Sequence, residues 1–263
     1  MRRSHQRLGQ NVLITGAAGG IGKELARCFA QDGYTLVLTS RDEVRLEALA
    51  EQIRAEFNAQ VHVIASDVAN DEGVNHLIRE TDRLCLDIDV LVNNAGYGLV
   101  GLLHDLDAKD QAAMLYVNTV ALTTLTTHYW PGMVSRGRGG LLNVSSGAAF
   151  QPCPYMAVYA AAKAYTLSVT EALWEEARGT GVHVSCLCPG PTESGFHSRS
   201  GTDTSAVGKG PMQTAQEVAE LGYAALLDDR RVIVPGFGNR VKALMGSLLP
   251  NGFILKNVRK VFT

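Results

Sequence analysis

Residues 15–22 of the chain read Thr15-Gly16-Ala17-Ala18-Gly19-Gly20-Ile21-Gly22. An apolar run, Asn11–Thr15, leads into this glycine-rich stretch, and an amphipathic segment begins at Ile21. That strand–turn–helix context is typical of a phosphate-binding loop, because glycines let the backbone approach a pyrophosphate and N–H groups at a helix start favour anions. The spacing differs from the standard Gly-x-Gly-x-x-Gly, so a turn needed only for packing is the alternative. We predict a dinucleotide-binding loop with contacts from Gly16, Ala18, Gly19, Gly20, Ile21 and Gly22.

Short apolar runs alternate with longer amphipathic segments along the rest of the chain. The runs that we interpret as strands are Asn11–Thr15, Tyr34–Thr39, Val61–Ala65, Ile88–Val92, Gly140–Val144, Val182–Leu187 and Val232–Val234. The segments that we interpret as helices are Ile21–Gln31, Glu43–Phe57, Asp71–Arg83, Ala108–Tyr129, Ala157–Arg178 and Ala215–Leu227. This alternation indicates parallel pairing through right-handed crossovers, with helices on both faces of the sheet. We expect an α/β fold with a doubly wound, Rossmann-like parallel sheet of about seven strands in three α/β/α layers.

Composition excludes several classes of protein. The chain has 263 residues, 46% hydrophobic and 19% charged, which excludes a disordered chain. The net charge of -2 argues against a general nucleic-acid binder. The five scattered cysteines contain no Cys-x-x-Cys, and no run of about 18 apolar residues predicts a membrane span. We expect one cytoplasmic domain over residues 1–263 that needs no metal.

The end of the second predicted strand bears on the choice of cofactor. An acidic residue there would hydrogen-bond the ribose 2′-hydroxyl of NAD, whereas an arginine accommodates the 2′-phosphate of NADP. This chain has Ser40 and Arg41 at that point, and Asp42 follows at once. Arg41 as a solvated surface charge is the alternative. The pattern favours NADP(H), with NAD(H) possible.

Tyr159 and Lys163 lie four residues apart on a predicted helix, so they share one face. A phenol with a pKa near 10 is a poor base at neutral pH, but a nearby ammonium favours its ionised form. Ser145 and Ser146 end the preceding strand, where side chains face the ligand crevice. Asn118 falls in the middle of a predicted helix, where asparagine has poor propensity. Ordinary capping or back-bonding is the alternative for both serines and for Asn118.

These motifs occur in the order found in the short-chain dehydrogenase/reductase family, which the chain resembles from about Asn11 to Val234. The matching residues are Thr15–Gly22, Asn93–Gly96, Ser146, Tyr159, Lys163 and Pro189-Gly190. The resemblance implies hydride transfer between a nicotinamide and a carbonyl or alcohol carbon, with no metal. It implies four catalytic residues: Tyr159 as general acid/base, Lys163 to lower its pKa and hold the nicotinamide ribose, Ser146 to bind the substrate oxygen, and Asn118 to anchor a proton-relay water. Further cofactor contacts are implied at Asp67, Val68, Asn94, Ala95, Gly96, Pro189, Gly190 and Thr192.

The predicted walls of the substrate pocket are mostly apolar. They comprise residues 96–103, residues 150–155 and a lid from about 192 to 211, with Tyr97, Leu99, Val100, Phe150, Met156 and Phe196 as the large side chains. Such a lining predicts a hydrophobic ketone, aldehyde or secondary alcohol as substrate. A non-catalytic NADP(H) sensor or scaffold on the same fold is the alternative function.

The C-terminal tail, residues 238–263, is basic and amphipathic, and no acidic residue follows Asp229. One interpretation is that it packs back over the substrate loop or a neighbouring subunit. The other is that it binds an anionic membrane surface or a lipid-like substrate. The resembled family also leads us to expect a homodimer or homotetramer.

Overall fold

A computed structural model of the protein describes residues 7–194 and 212–262. Its strands are β1 Asn11–Thr15, β2 Thr35–Ser40, β3 Val61–Ala65, β4 Val90–Asn93, β5 Gly139–Val144, β6 Val182–Leu187, β7 Thr192–Glu193, β8 Gln213–Thr214 and β9 Val232–Ile233. Its α-helices are α1 Gly20–Gln31, α2 Glu43–Phe57, α3 Asp71–Arg83, α4 Ala108–Asn118, α5 Val120–Arg136, α6 Ala157–Glu176, α7 Ala215–Leu227, α8 Phe237–Leu248 and α9 Asn251–Phe262. Short 3₁₀ turns span Leu103–Asp105 and Gly147–Phe150.

Seven strands form one parallel sheet in the order β3-β2-β1-β4-β5-β6-β9, and β7 pairs with β8 apart from it. The strand order reverses at β1, which pairs with β2 on one side and with β4 on the other. In doubly wound sheets, ligands bind outside the carboxyl ends of the strands at such a reversal. The predicted Rossmann-like sheet is confirmed.

Successive strand residues point to opposite faces of the sheet and enter two separate cores. On one face, Val12 and Ile14 of β1 pack in a buried cluster with side chains of α1, α2 and α7. On the other face, Leu13 packs with side chains of α3 and α5. The three α/β/α layers are therefore confirmed.

The helix predicted at Ala108–Tyr129 is in fact two helices, so that part of the interpretation was wrong. The chain leaves the helical conformation at Thr119, with φ of -129° and ψ of -66°, and α5 then continues to Arg136 through Pro131. The Asn118 side chain donates from Nδ2 to the carbonyl of Met114 and, outside the helix, to that of Tyr97. Asn118 is thus the last residue of α4 and is held by hydrogen bonds to the loop after β4.

Residues 195–211 of the predicted lid, including Phe196, lie outside the described residues, as do residues 1–6. Within the described ranges, no helix combines the length and the apolar character that crossing a membrane requires.

Candidate active site

A cleft with a volume of about 1030 Å³ opens at the carboxyl edge of the sheet. That is at the upper end of the usual size of ligand pockets. The predicted site residues on its surface are Gly16, Ala18, Gly19, Gly20, Ile21, Ser40, Arg41, Asp67, Val68, Asn94, Ala95, Gly96, Ser146, Tyr159, Lys163, Pro189, Gly190 and Thr192. Gly22 and Asn118 are buried beside the cleft rather than on its surface.

The glycine loop after β1 is held in a compact turn against the end of β4. Gly16 adopts a φ of +65°, and a side chain there would approach the backbone of Ala95 to 2.9 Å. The Asn94 side chain donates to the carbonyls of Thr15 and Gly16 at 2.9 and 3.0 Å. Gly22 serves packing, because a Cβ there would lie 2.4 Å from the Gly16 carbonyl oxygen.

The start of α1 fits an anion. Its N-cap residue is Gly19, which offers no side-chain hydrogen bond to the helix, so the first N–H groups are left for a ligand. Gly19 is also open to the cleft, because a Cβ built on it meets no atom within 4 Å. The loop therefore has both the donors and the free space that a diphosphate needs.

Arg41 is exposed at the end of β2, on the wall of the same cleft. Its acidic neighbour Asp42 is the N-cap of α2 and accepts a hydrogen bond from the Arg45 backbone N–H at 3.0 Å. The Asp42 carboxylate also pairs with the Arg45 guanidinium at 3.2 Å. The carboxylate after Arg41 is thus engaged with α2.

Ser146, Tyr159 and Lys163 lie together at the other end of the cleft. Ser146 is the N-cap of the 3₁₀ turn that follows β5, and its side chain is hydrogen-bonded to the Tyr159 hydroxyl. The Lys163 ammonium lies 5.8 Å from the centre of the Tyr159 ring and donates to the carbonyl of Val144 at 2.9 Å. Ser145 points away, since its hydroxyl donates to the Lys163 backbone carbonyl at 2.7 Å. The structure therefore brings Ser146, and not Ser145, to the phenol.

The titration of this cluster is governed by burial. Burial raises the pKa of Tyr159 to about 12, against a smaller lowering by the hydrogen bond from Ser146. Burial lowers the pKa of Lys163 to about 8. Burial outweighs the other influences on that hydroxyl in the polypeptide by itself, so a lowering of the phenol's pKa by Lys163 stays a prediction.

Asn118 and Lys163 meet at Gly96. A Cβ on Gly96 would lie 2.6 Å from Asn118 Oδ1 and 3.2 Å from Lys163 Nζ. Asn118 Oδ1 is a buried acceptor with no hydrogen-bond partner among the described residues. The close approach of both side chains leaves no room for a methyl group on Gly96. The unpartnered Oδ1 atom is costly unless a water or a ligand hydroxyl satisfies it.

Sequence reasoning missed the cleft residues contributed by the tail. These are Asn239, Lys242 and Ala243 of α8 and Val258 of α9. Asn239 packs so closely on the segment after β6 that a Cβ on Gly190 would lie 2.4 Å from its Nδ2 atom. The amphipathic pattern of the tail left packing over the substrate loop or a neighbouring subunit as one of two interpretations, but it did not indicate which residues reach the cleft.

The predicted substrate walls are only partly on the cleft surface. Tyr97 and Met156 line it, whereas Leu99 and Val100 pack in the cluster that holds Met156 and Tyr159. Phe150 does not line it. Within the described ranges, no group of three or more His, Cys, Asp or Glu side chains is placed to hold a metal ion.

Comparison with known proteins agrees with this geometry. Residues 10–205 match the model of the short chain dehydrogenase family. The chain is 36% identical to sulfoacetaldehyde reductase 2 of Chromohalobacter salexigens over 218 residues, which cover 80% of this chain and 85% of that protein.

Two solved structures are similar over nearly the whole chain and contain nicotinamide cofactors. A short-chain dehydrogenase from Sphingobium yanoikuyae in complex with NADPH is 31% identical with a TM-score of 0.81, covering 94% of this chain and 95% of that one. A short chain dehydrogenase/reductase from Burkholderia phymatum in complex with NAD is 27% identical with a TM-score of 0.81, covering 90% and 92%. The protein therefore belongs to the short-chain dehydrogenase/reductase family and is an oxidoreductase that acts on alcohol and carbonyl groups.

Proposed function

We propose that the protein is an NADP(H)-dependent oxidoreductase of hydrophobic ketones, aldehydes or secondary alcohols, with Tyr159 as the general acid/base. The observation that carries the proposal is the convergence of Ser146, Tyr159 and Lys163 at one end of a cleft whose other end carries Arg41. When bound, the nicotinamide cofactor supplies or accepts the hydride, while the protein aligns the reactants and handles the proton.

The chain's own residues divide the binding of the cofactor between them. The glycine loop and the start of α1 would hold the diphosphate, with Asp67 and Val68 at the adenine and Pro189, Gly190 and Thr192 along the nicotinamide. Lys163 would hold the nicotinamide ribose, and Asn118 Oδ1, which has no partner among the described residues, would accept a hydrogen bond from a water.

The Tyr159 phenol holds its proton at neutral pH, and that proton is available for carbonyl reduction. A phenol with a pKa of about 12 is protonated there, so it can donate its proton to the substrate oxygen as that oxygen gains charge. The Ser146 hydroxyl, bonded to the same phenol, would orient that oxygen. The Lys163 ammonium lies under the ring and favours the phenolate that remains.

The preference for NADP(H) rests on the charges around the end of β2. Arg41 and Arg45 both line the cleft there, and Asp42, the carboxylate that follows Arg41 in the chain, caps α2 and pairs with Arg45. A 2′-phosphate would meet a guanidinium that can bind it through two N–H groups.

The proposed substrate class rests on the side chains around Tyr159. Tyr97, Ala148, Cys153, Met156 and Val258 line this part of the cleft. The buried Cys153 thiol, whose pKa burial raises to about 11, is a neutral part of that wall. The relative from Chromohalobacter salexigens is named for a small sulfonated aldehyde, so its name does not supply this substrate class.

A carbonyl screen with both cofactors tests the proposal. Initial rates would be measured for aliphatic, cyclic and aromatic ketones and aldehydes with NADPH and with NADH, beside sulfoacetaldehyde and a polar keto sugar. We expect the highest kcat/KM for apolar carbonyls with NADPH. Activity confined to the sugar, to sulfoacetaldehyde or to NADH would overturn the corresponding part of the proposal.

The expected assembly and compartment are also proposals. The exposed side chains of Leu115, Val120 and Tyr165 on α4, α5 and α6 support a homodimer or homotetramer. Light scattering on the purified chain would show a monomeric mass if this is wrong. A cytoplasmic location rests only on the sequence.

A further inference from the structure

Helix α8 carries an apolar stripe on its outward face. The stripe consists of Phe237, Val241, Leu244, Met245 and Leu248, which are 80%, 40%, 60%, 48% and 73% exposed. Residues spaced three or four apart lie on one side of a helix. The opposite side of α8 faces the protein, where Ala243 and Gly246 are buried.

The stripe belongs to a segment of the chain whose charged residues are all positive. From Arg230 to the end of the chain the charged residues are Arg230, Arg231, Arg240, Lys242, Lys256, Arg259 and Lys260, and none is acidic. Arg240 and Lys242 are exposed on α8, and Lys256, Arg259 and Lys260 are exposed on α9. Helix α9 turns Ile254 and Val258 inward, so its cations face outward.

We propose that the exposed side chains of α8 and α9, here called the tail surface, dock on an anionic lipid bilayer. Helices that lie in a membrane interface combine an apolar face, which enters the headgroup region, with Lys and Arg side chains that meet anionic lipids. Each cation close to such a surface adds to binding, and the attraction falls off within a Debye length. The tail surface supplies both parts on two adjacent helices.

Charge argues against the other occupants of this surface. In an isologous dimer the same patch contacts itself, so the five exposed cations would face five more. The lid segment 195–211 carries Arg199, Asp203 and Lys209, so it has no negative excess to offer. The matched family model ends at residue 205, before α8 and α9 begin.

Docking would place the substrate cleft beside the lipid. Lys242, Ala243 and Val258 line that cleft, and they belong to the same two helices as the tail surface. An apolar carbonyl dissolved in the bilayer would then have a short path to Tyr159. This consequence rests on the proposed function, whereas binding to the bilayer does not.

Vesicle flotation of the full-length chain tests the proposal. Vesicles of phosphatidylcholine with phosphatidylserine would be compared with vesicles of phosphatidylcholine alone, at low and high salt. We expect the protein to float with the anionic vesicles at low salt and to stay behind in the other conditions. The triple variant Lys256→Gln/Arg259→Gln/Lys260→Gln should weaken partitioning about a hundredfold. The variant Leu244→Ser/Leu248→Ser should weaken it about tenfold or more.

Matched variants at exposed positions elsewhere test whether flotation depends on the tail surface in particular. Val44→Ser removes a valine that is 79% exposed on α2, and Arg79→Gln/Lys109→Gln removes two exposed cations elsewhere. Both should float like the parent chain. Equal flotation of parent and tail variants would overturn the proposal, and so would a lack of flotation with anionic vesicles. A parent homodimer that Leu244→Ser/Leu248→Ser converts to a monomer would also overturn it, because the stripe would then be a subunit interface. Unchanged thermal unfolding of each variant shows that it is folded, and carbonyl reduction measured without vesicles tests the proposed function separately.

Discussion

The two ends of the cleft differ in how far they exclude water. At the catalytic end, defined by Ser146, Tyr159 and Lys163, the phenol is 6% exposed and the lysine 5%. At the phosphate end, defined by Arg41 and Arg45, both arginines are exposed, and the Arg45 side chain reaches 75%. The ionisable side chains at the two ends of the cleft therefore lie in different dielectric environments.

This difference decides how each end works. Burial shifts both pKa values at the catalytic end, to about 12 for Tyr159 and about 8 for Lys163, and leaves Asn118 Oδ1 without a partner among the described residues. At the phosphate end the charges are solvated and screened, so each contact contributes little by itself. Substitutions at the catalytic end should therefore have large effects, and those at the phosphate end should mainly change which cofactor is preferred.

Tyr159→Phe should have the largest effect. It removes the hydroxyl that is bonded to Ser146 and leaves the ring in place. We expect kcat to fall about a thousandfold or more, because general acid catalysis is lost. The affinity for NADPH, measured by fluorescence titration, should stay within a few-fold of the parent's. A variant that keeps its turnover would show that this phenol is not the acid, and would favour the sensor alternative.

Gly96→Ala should have the next largest effect. The added methyl would lie 2.6 Å from Asn118 Oδ1 and 3.2 Å from Lys163 Nζ, both of which are buried. Displacing these groups should lower kcat about a hundredfold, since small shifts of positioned groups are costly. In the control Gly238→Ala the new Cβ meets no atom within 4 Å, so kinetics and thermal unfolding should stay close to the parent's. Equal behaviour of the two variants would contradict the placement of Asn118 and Lys163.

The sheet and the glycine loop were predictable because their signals are local. Each strand is a short apolar run, and the loop lies between a strand and a helix whose patterns are visible in the sequence. The break at Thr119 was not predictable in this way. It accompanies a hydrogen bond from Asn118 to Tyr97, which is 21 positions away in the chain.

The sequence was enough to predict which residues carry the chemistry of the site, but less of their environment could be predicted from it. Ser146, Tyr159 and Lys163 lie together on the cleft, but the direction of the Tyr159 pKa depends on burial, which spacing alone does not report. The contact of Asn239 with Gly190 likewise joins residues far apart in sequence. Such features depend on tertiary packing.

The buried Lys163 should make stability depend on pH in a defined window. Its pKa is about 8 in the folded chain and has an ordinary value of 10.5. Between these values the unfolded chain holds more protons, so the free energy of unfolding rises with pH, by at most about 1.4 kcal/mol per pH unit. Below about pH 8 both states are protonated, so Lys163 adds no pH dependence to the free energy of unfolding there. Denaturant unfolding at several pH values should show the rise in the parent chain relative to Lys163→Met.

The exposed Lys109 provides the control for this measurement. Lys109→Met should follow the parent chain throughout the window from about pH 8 to 10, below the range where the tyrosines dominate. If the parent chain and Lys163→Met change in parallel, then Lys163 is protonated in the folded chain across the window. The catalytic end would in that case be wetter than its 5% exposure indicates.

Arg41→Ala should have the smallest effect on turnover. Because the guanidinium is exposed, its loss should raise KM for NADPH about tenfold and leave KM for NADH nearly unchanged, with little change in kcat. Arg45→Ala is the matched variant on the same wall, and it should change KM less because Arg45 is already paired with Asp42 at 3.2 Å. Raising the salt concentration should shrink the difference between parent and Arg41→Ala, since exposed charges are screened. An equal rise of KM for both cofactors would mean that Arg41 binds a part that NADPH and NADH share. The contrast between the two ends of the cleft would then lie in burial alone and not in cofactor choice.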